Sequence, residues 1–192
     1  MRFFFFGTLM DRDVLEAVIA RPAPAGPFPR AVLPGYRRVK LRGESHPLIL
    51  PADLAAPQAL PRGLAVDGVI VEGLLPSDID RIMFYESIDY EPRPVRVTPI
   101  EQSGAGAGPV EAHVFIGSAE AKHDDEPWDY ARWLAEDKPA ELQEARLWMA
   151  LYGAIDYAEA DRLWEEARAS GRPIEDLVSE ILARPQRARA GG

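Results

Sequence analysis

The sequence predicts an α+β protein, because strand-like and helix-like patterns occupy different parts of the chain. Short apolar segments bounded by Gly and Pro dominate residues 1–117, as is typical of strands. Apolar residues that repeat every three or four positions dominate residues 120–184, as is typical of helices. The uninterrupted apolar run at residues 3–6 ends at Gly7 and predicts a strand buried on both faces.

Further strands are predicted after this run, where alternation of apolar and polar residues is partial. They lie at residues 32–41, 63–75, 95–98 and 110–116. Pro34-Gly35 and Gly68 interrupt the first two of these segments and predict bends or bulges. Val95 and Val97 alternate with polar neighbours, which predicts a half-buried strand.

Two helices are predicted within this strand-rich part. In the first, Asp11 or Asp13 is the expected cap, and Val14, Ala17 and Val18 share one side.

The second predicted helix begins at Pro76-Ser77-Asp78 and ends near Glu86. Ile79, Ile82 and Met83 follow the spacing of one helix face, which supports this assignment.

Four helices are predicted in the second half, at residues 128–135, 140–152, 157–169 and 174–183. The last has Pro173 at its start, and its predicted apolar face consists of Ile174, Leu177, Val178, Ile181 and Leu182.

Composition excludes several classes of function. The 192 residues fit one domain, or one domain with an appended subdomain. A net charge of −9 argues against nucleic-acid binding, which depends on clustered Lys and Arg. The absence of Cys excludes disulfides, thiolate nucleophiles and Cys-based metal sites. No apolar run approaches the roughly 20 residues that span a bilayer, so a cytoplasmic protein without membrane contact is expected.

The chain also lacks the patterns of common cofactor and metal sites. His46, His113 and His123 share no ligand spacing, and no G-x-S-x-G elbow provides a hydrolase nucleophile. The Gly residues at 104–108 match no dinucleotide fingerprint. The sequence therefore predicts chemistry that needs neither cofactor nor metal.

Glu86 is the candidate acid/base. An acidic residue at a helix end is usually solvated. Glu86, however, follows Tyr85 on a largely apolar helix and sits at the negative end of the helix dipole, so partial burial is expected to raise its pKa toward the range of a general base. We expect Glu86 to share a pocket with the Gly7–Leu9 amides, because a Gly turn between strand and helix presents free N–H donors.

Four segments in this order resemble the gamma-glutamylcyclotransferase-like superfamily. They are residues 5–9 (FFGTL), 33–37 (LPGYR), 66–69 (VDGV) and 85–93 (YESIDYEPR), the last followed by Val95 and Val97. The resemblance covers roughly residues 1–117. It implies a small mixed β-barrel with helices packed around it, and leaves residues 118–185 as a helical extension and 186–192 as a disordered tail.

The resemblance also implies a reaction and a site. A γ-glutamyl amine or amino acid would cyclise to 5-oxoproline and release its amine, with Glu86 as catalytic acid/base. The implied substrate-binding residues are Phe6, Gly7, Thr8, Leu9, Tyr90 and Arg93. The expected partner is this small-molecule substrate, and the chain is expected to be a monomer or homodimer.

Two departures from the family pattern keep other functions open. Phe6 and Phe115 stand at positions where Tyr is common in the family, so two phenol hydroxyls are missing. A binding or regulatory module with little turnover is therefore the alternative, and an intramolecular acyl transfer on another γ-glutamylated metabolite is a third interpretation. Ser87 replaces a Gly that is frequent after the catalytic Glu.

Overall fold

A computed structural model describes residues 1–52, 65–86, 92–100, 108–117, 122–124 and 126–184. The strands in these ranges are β1 (Arg2–Phe5), β2 (Arg30–Pro34), β3 (Tyr36–Lys40), β4 (Pro47–Pro51), β5 (Ala65–Glu72), β6 (Pro92–Pro99) and β7 (Val110–Phe115). The α-helices are α1 (Arg12–Ile19), α2 (Pro76–Glu86), α3 (Tyr130–Glu136), α4 (Lys138–Ala150), α5 (Tyr157–Ser170) and α6 (Ile174–Ala183), and a 3-10 turn covers Thr8–Met10.

Five strands close into a barrel in the order β1-β5-β2-β6-β7. The contact between β1 and β7 is parallel and the other pairings are antiparallel, so the barrel is mixed. Every barrel strand contributes to one buried cluster that includes Phe4, Leu33, Ile70, Val97 and Val114, which therefore fills the barrel interior. The predicted α+β class and small mixed barrel are confirmed.

Strand β1 is buried on both faces, as its sequence predicts. Phe4 belongs to the barrel interior, whereas Phe3 and Phe5 pack in a second cluster with Leu15 of α1 and Met149 of α4. This alternation follows from the two-residue period of a strand. It explains why an unbroken run of Phe is tolerated here.

The two predicted interruptions have different structural reasons. Gly35 has a φ of 79°, a conformation that favours Gly, and it joins β2 to β3. Gly68 was predicted to mark a bend or a bulge, and no bulge is present, because the register of β2 with β5 runs through the Ala31–Gly68 pair without interruption. A Cβ at Gly68 would overlap the Phe5 carbonyl oxygen, so Gly lets the two backbones approach closely.

Strand β4 was not predicted, since prolines at both ends and a continuous apolar centre hide its pattern. It pairs antiparallel with β3 in a separate two-stranded sheet. Its first residue, Pro47, lies against Gly7 at the end of β1.

Asp11, one of the two predicted caps, is the N-cap of helix α1. Its side chain accepts hydrogen bonds from the amides of Asp13 and Val14 at 3.0 and 3.2 Å, and Lys138 Nζ lies 2.8 Å from its second oxygen. Val14 and Val18 are buried as predicted, but Ala17 is only partly buried. The buried face of α1 is completed by Leu15 and Ile19.

Asp11→Ala is expected to lower the free energy of unfolding by about 1 kcal/mol, because the helix start loses the acceptor for two amides. Urea denaturation measures this difference. Asp13→Ala is the matched control, since Asp13 also pairs with Lys138, at 2.7 Å, but provides no cap. Equal destabilisation by the two variants would assign the effect to Lys138 rather than to capping.

Helix α2 ends at Glu86, as predicted. Ile82 is fully buried, Ile79 is partly buried, and Met83 is 40% exposed, so the apolar face of α2 is only partly covered. Asp78 is buried at the start of the helix, where it pairs with Arg21 and accepts from the Leu75 amide at 2.7 Å. These contacts fix where α2 begins.

The four C-terminal helices lie close to their predicted positions. Helix α4 packs against α1 and α2, while α5 and α6 share a cluster that includes Leu151, Trp164 and Leu177. Leu182 is 53% exposed, so its predicted place on the buried face of α6 is wrong. The boundary expected near residue 117 stays a prediction, and residues 186–192 lie outside the described residues. No helix in the described part of the chain is long and apolar enough to cross a membrane.

Candidate active site

A cavity of about 350 Å³ lies where β1 ends, and α2, α4 and α5 contribute to its walls. The predicted turn residues Phe6, Gly7, Thr8 and Leu9 line it, and so does Glu86. Pockets of this size hold small metabolites. The expectation that Glu86 and the turn share one pocket is therefore confirmed.

The turn after β1 is a short 3-10 helix with internal hydrogen bonds between its main-chain groups. The amides of Met10 and Asp11 donate to the carbonyls of Gly7 and Thr8, both at 3.0 Å. Among the described residues, no acceptor takes a hydrogen bond from the amides of Thr8 and Leu9. These two N–H groups are donors available to a ligand.

Gly7 is required by space rather than by its backbone angles. Its φ of −125° is accessible to any residue. A Cβ at this position would lie 3.0 and 3.1 Å from the ring carbons of Pro47, which also lines the cavity. The turn can therefore lie directly against β4 only because residue 7 has no side chain.

Arg38 stabilises the turn from outside the cavity. Its guanidinium donates to the Phe6 carbonyl at 2.7 Å and to Asp67 Oδ1 at 2.9 Å, and it lies 4.9 Å from the centre of the Trp128 ring. These contacts link β3, β5 and the segment before α3 to the residue that precedes Gly7. The turn is thus fixed by groups outside the cavity.

Glu86 is the last residue of α2 and is partly buried. Burial disfavours the charged carboxylate and raises the pKa of Glu86 from 4.5 to about 7. The predicted elevation of this pKa by burial is confirmed. Near neutral pH the group is present in both protonation states, so it can accept a proton and return it.

Tyr85 connects the turn to a second buried acid. Its hydroxyl lies 3.3 Å from Thr8 Oγ1 and donates to Glu141 Oε1 at 3.4 Å. Burial, followed by the negative charge of Glu141, raises the pKa of Tyr85 well above its ordinary value, so the phenol stays protonated. Ser45 Oγ donates to the other oxygen of Glu141, which orients that carboxylate.

Sequence reasoning missed the contribution of α4 and α5. Glu141, Ala145 and Trp148 line the cavity at the spacing of one helix face, and they are joined by Trp164 of α5. This spacing in the sequence was the signal that could have identified α4 as a wall of the cavity. Trp148 and Trp164 also pack against each other edge to face, with ring centres 5.1 Å apart.

Only some of the remaining candidate residues line the cavity. Phe115 lines the cavity, as do Phe6 and His46. Arg93 is exposed on β6 opposite Val114 and is not among the described residues that line the cavity. Tyr90 and Ser87 lie outside the described residues. The substrate-binding roles of Phe6, Tyr90 and Arg93 stay predictions.

The described ranges contain no group of three or more His, Cys, Asp or Glu side chains placed to hold a metal ion. His46 lies at the cavity, whereas His113 belongs to β7 and His123 forms a backbone bridge with Leu41.

The closed mixed barrel, with a partly buried carboxylate in the same cavity as the turn after its first strand, defines an α+β protein with a gamma-glutamyl cyclotransferase-like fold. The chain belongs to the family described as gamma-glutamyl cyclotransferase, AIG2-like, whose family model matches residues 3–135. The family resemblance stated from the sequence is confirmed.

Individual relatives are distant. Protein AIG2 C of Arabidopsis thaliana is 27% identical over 130 residues, which cover 68% of this chain and 70% of that protein. A solution structure of another Arabidopsis thaliana protein is similar in fold, with a TM-score of 0.50 and 19% identity, and the match covers 100% of this chain and 94% of that one. A yeast gamma-glutamyl cyclotransferase specific to glutathione matches with a TM-score of 0.46 and 13% identity, over 76% of this chain and 86% of that one.

Proposed function

We propose that the protein is a cofactor-independent γ-glutamyl cyclotransferase in which Glu86 is the general acid/base. The substrate is a γ-glutamyl amine or amino acid, and the products are 5-oxoproline and the free amine. The observation that carries this proposal is the shared cavity of Glu86 and the Gly7–Leu9 turn. Membership of the cyclotransferase family supports the reaction class.

The reaction exchanges one amide for another within the substrate. The α-ammonium loses a proton to Glu86, and the resulting amine attacks the γ-carbonyl carbon. A carbon–nitrogen bond forms in the five-membered lactam as the bond from the same carbon to the leaving amine breaks. Glu86 returns this proton to the leaving nitrogen. The second proton, which the attacking nitrogen loses as the lactam forms, also passes to the leaving amine, so the amine departs as an ammonium. Atoms and electrons balance without an oxidant, a reductant or a second substrate.

The pKa of Glu86, raised to about 7, suits both proton transfers. A carboxylate with an ordinary pKa is a weaker base toward the substrate ammonium, and one with a far higher pKa would be protonated before the reaction begins. Because the nucleophile is tethered to the electrophile, the protein's main task is to hold the substrate in the folded conformation that closes the ring.

The role of the turn is to stabilise the negative charge that develops during ring closure. The amides of Thr8 and Leu9 donate to the γ-carbonyl oxygen as negative charge develops on it. Tyr85 keeps the Thr8 side chain in place through the contact at 3.3 Å, and Arg38 fixes the Phe6 carbonyl immediately before the turn.

A binding module of the same fold is the second candidate. Phe6 and Phe115 both line the cavity, and neither offers a hydroxyl to a substrate. A pocket with these apolar walls retains the main-chain donors but loses two side-chain hydrogen bonds. Tight binding without turnover is the result that this candidate predicts.

The test is to incubate the protein with a panel of γ-glutamyl amines and amino acids and to quantify 5-oxoproline and released amine. We expect equal amounts of the two products from at least one substrate. Calorimetry with the same panel measures binding separately. Binding without product from any compound supports the module, and free glutamate in place of 5-oxoproline would show hydrolysis and contradict the proposed ring closure.

A further inference from the structure

Helix α5 forms one wall of the cavity and lies beyond the residues that the family model matches. Tyr157, Asp161, Trp164 and Arg168 line it, and we call these four residues the α5 wall. They are spaced four, three and four positions apart, so they share one helix face. We propose that the α5 wall is a binding subsite for the leaving amine and that it selects amines with a second positive charge. This inference rests on the proposed function.

Trp148 connects the α5 wall to Glu86. Its Nε1 donates to the Phe84 carbonyl at 3.0 Å, two residues before Glu86 on α2. On its other side the ring meets Trp164 edge to face at 5.1 Å and Tyr157 at 5.7 Å. The aromatic surface therefore extends from the end of α2 to α5 within one cavity. A substrate whose glutamyl group lies at Glu86 and the turn directs its leaving amine along this surface.

The aromatic side chains favour an alkyl chain that ends in a cation. Trp148, Tyr157 and Trp164 supply apolar contact for the methylene groups. The electron-rich faces of such rings attract an ammonium group, most strongly in the case of Trp. A leaving group with these two properties is an aliphatic diamine.

The charged side chains of the cavity also favour a cationic leaving amine. The carboxylates among its described lining residues are Glu44, Glu86, Glu141, Glu144 and Asp161, and the basic groups are Arg168 and His46. Arg168 is already paired with Glu44 at 3.0 Å and with Glu144. Its charge is therefore compensated before a ligand arrives, and a ligand carboxylate finds no uncommitted guanidinium among the described lining residues.

Asp161 is the carboxylate available to a ligand cation. It is exposed, it accepts from the Tyr157 hydroxyl at 3.4 Å, and no ion pair joins it to another described residue. It lies one helical turn from Tyr157 and from Trp164. An ammonium group at this position gains a counter-ion and an aromatic face together, whereas a carboxylate is repelled.

Three substrates of similar length test this selection: the γ-glutamyl amides of putrescine, n-butylamine and γ-aminobutyrate, whose far ends are positive, neutral and negative. We expect kcat/KM to be about tenfold higher for the putrescine amide than for the butylamide, and lowest for the γ-aminobutyrate amide. Asp161→Asn is expected to reduce the ratio between the first two by about threefold to tenfold. Glu166→Gln is the matched control, because Glu166 lies on α5 outside the cavity lining and pairs with Arg162.

Binding measurements separate failure of this inference from failure of the proposed function. Calorimetry on the Glu86→Gln protein measures the affinity of the three amides without turnover. A preference for the putrescine amide that Asp161→Asn removes supports the subsite, even if the unaltered protein forms no 5-oxoproline. Equal affinity for all three amides, tighter binding of the γ-aminobutyrate amide, or no binding of any amide overturns it. So does an unchanged preference in Asp161→Asn.

Discussion

Glu86→Gln is expected to lower kcat for 5-oxoproline formation by about 10²- to 10⁴-fold, since the amide cannot take a proton from the substrate ammonium or return it to the leaving amine. Gln preserves the size and much of the polarity of the side chain, so binding of the substrate is expected to survive. Glu136→Gln is a control with the same change in charge at an exposed site, where Glu136 pairs with Arg132. Turnover that is equal in the Glu86→Gln and unaltered proteins would remove Glu86 from its proposed role.

Glu86 is also expected to determine how kcat/KM falls on the acid side of its pH profile. Burial places the pKa of Glu86 at about 7, so the carboxylate is the minor form at pH 6 and the major form at pH 8. Because the base must be unprotonated to act, kcat/KM is expected to rise with pH and to level off above the pKa. A profile whose acid limb lies near pH 4.5, the value of an ordinary Glu, would show that the carboxyl is solvated during catalysis.

Gly68→Ala is expected to lower the free energy of unfolding by about 3 kcal/mol, at the upper end of the cost of overpacking a core. An added Cβ would overlap the Phe5 carbonyl oxygen and lie 2.5 Å from Phe4 Cζ, and one of the two obstacles is backbone. In a chain of this length the loss corresponds to a fall in Tm of about 6–12 °C. Thermal denaturation measures it.

Gly108→Ala is the control for this prediction, since a Cβ there would meet nothing within 4 Å. Activity adds a second readout. Phe5 is the last residue of β1, so a displacement of its carbonyl is passed to the turn that begins at Phe6. We therefore expect Gly68→Ala to reduce turnover at temperatures where the protein is still folded. A Tm within 2 °C of the control would contradict the close approach of β1 and β5.

The sequence was sufficient where a pattern and its structural cause lie close together in the chain. The cap at Asp11, the end of α2 at Glu86 and the strand at β1 each depend on a few neighbouring residues. The raised pKa of Glu86 was also predictable, because an acid on a largely apolar helix is a candidate for burial. The closed barrel followed from the family resemblance rather than from alternation of residues.

What the sequence did not predict depends on residues that are distant in the chain. Glu141 is one of 31 acidic residues, and only the position of α4 beside Tyr85 and Ser45 distinguishes it. Leu182 follows the spacing of a buried face, yet the neighbours of α6 do not cover it. Gly68 was interpreted as a bend or a bulge because the obstacle that excludes a side chain belongs to another strand.

The place of β1 in the barrel determines when this segment can be shielded during synthesis. Its neighbours are β5 and β7, and Phe3 lies between Val71 of one and His113 of the other. The Phe3 ring also stacks on Phe115 at 5.8 Å. The consecutive phenylalanines of β1 therefore lack one of their two neighbouring strands until β7 has been synthesised, and incompletely covered apolar segments favour aggregation or chaperone binding.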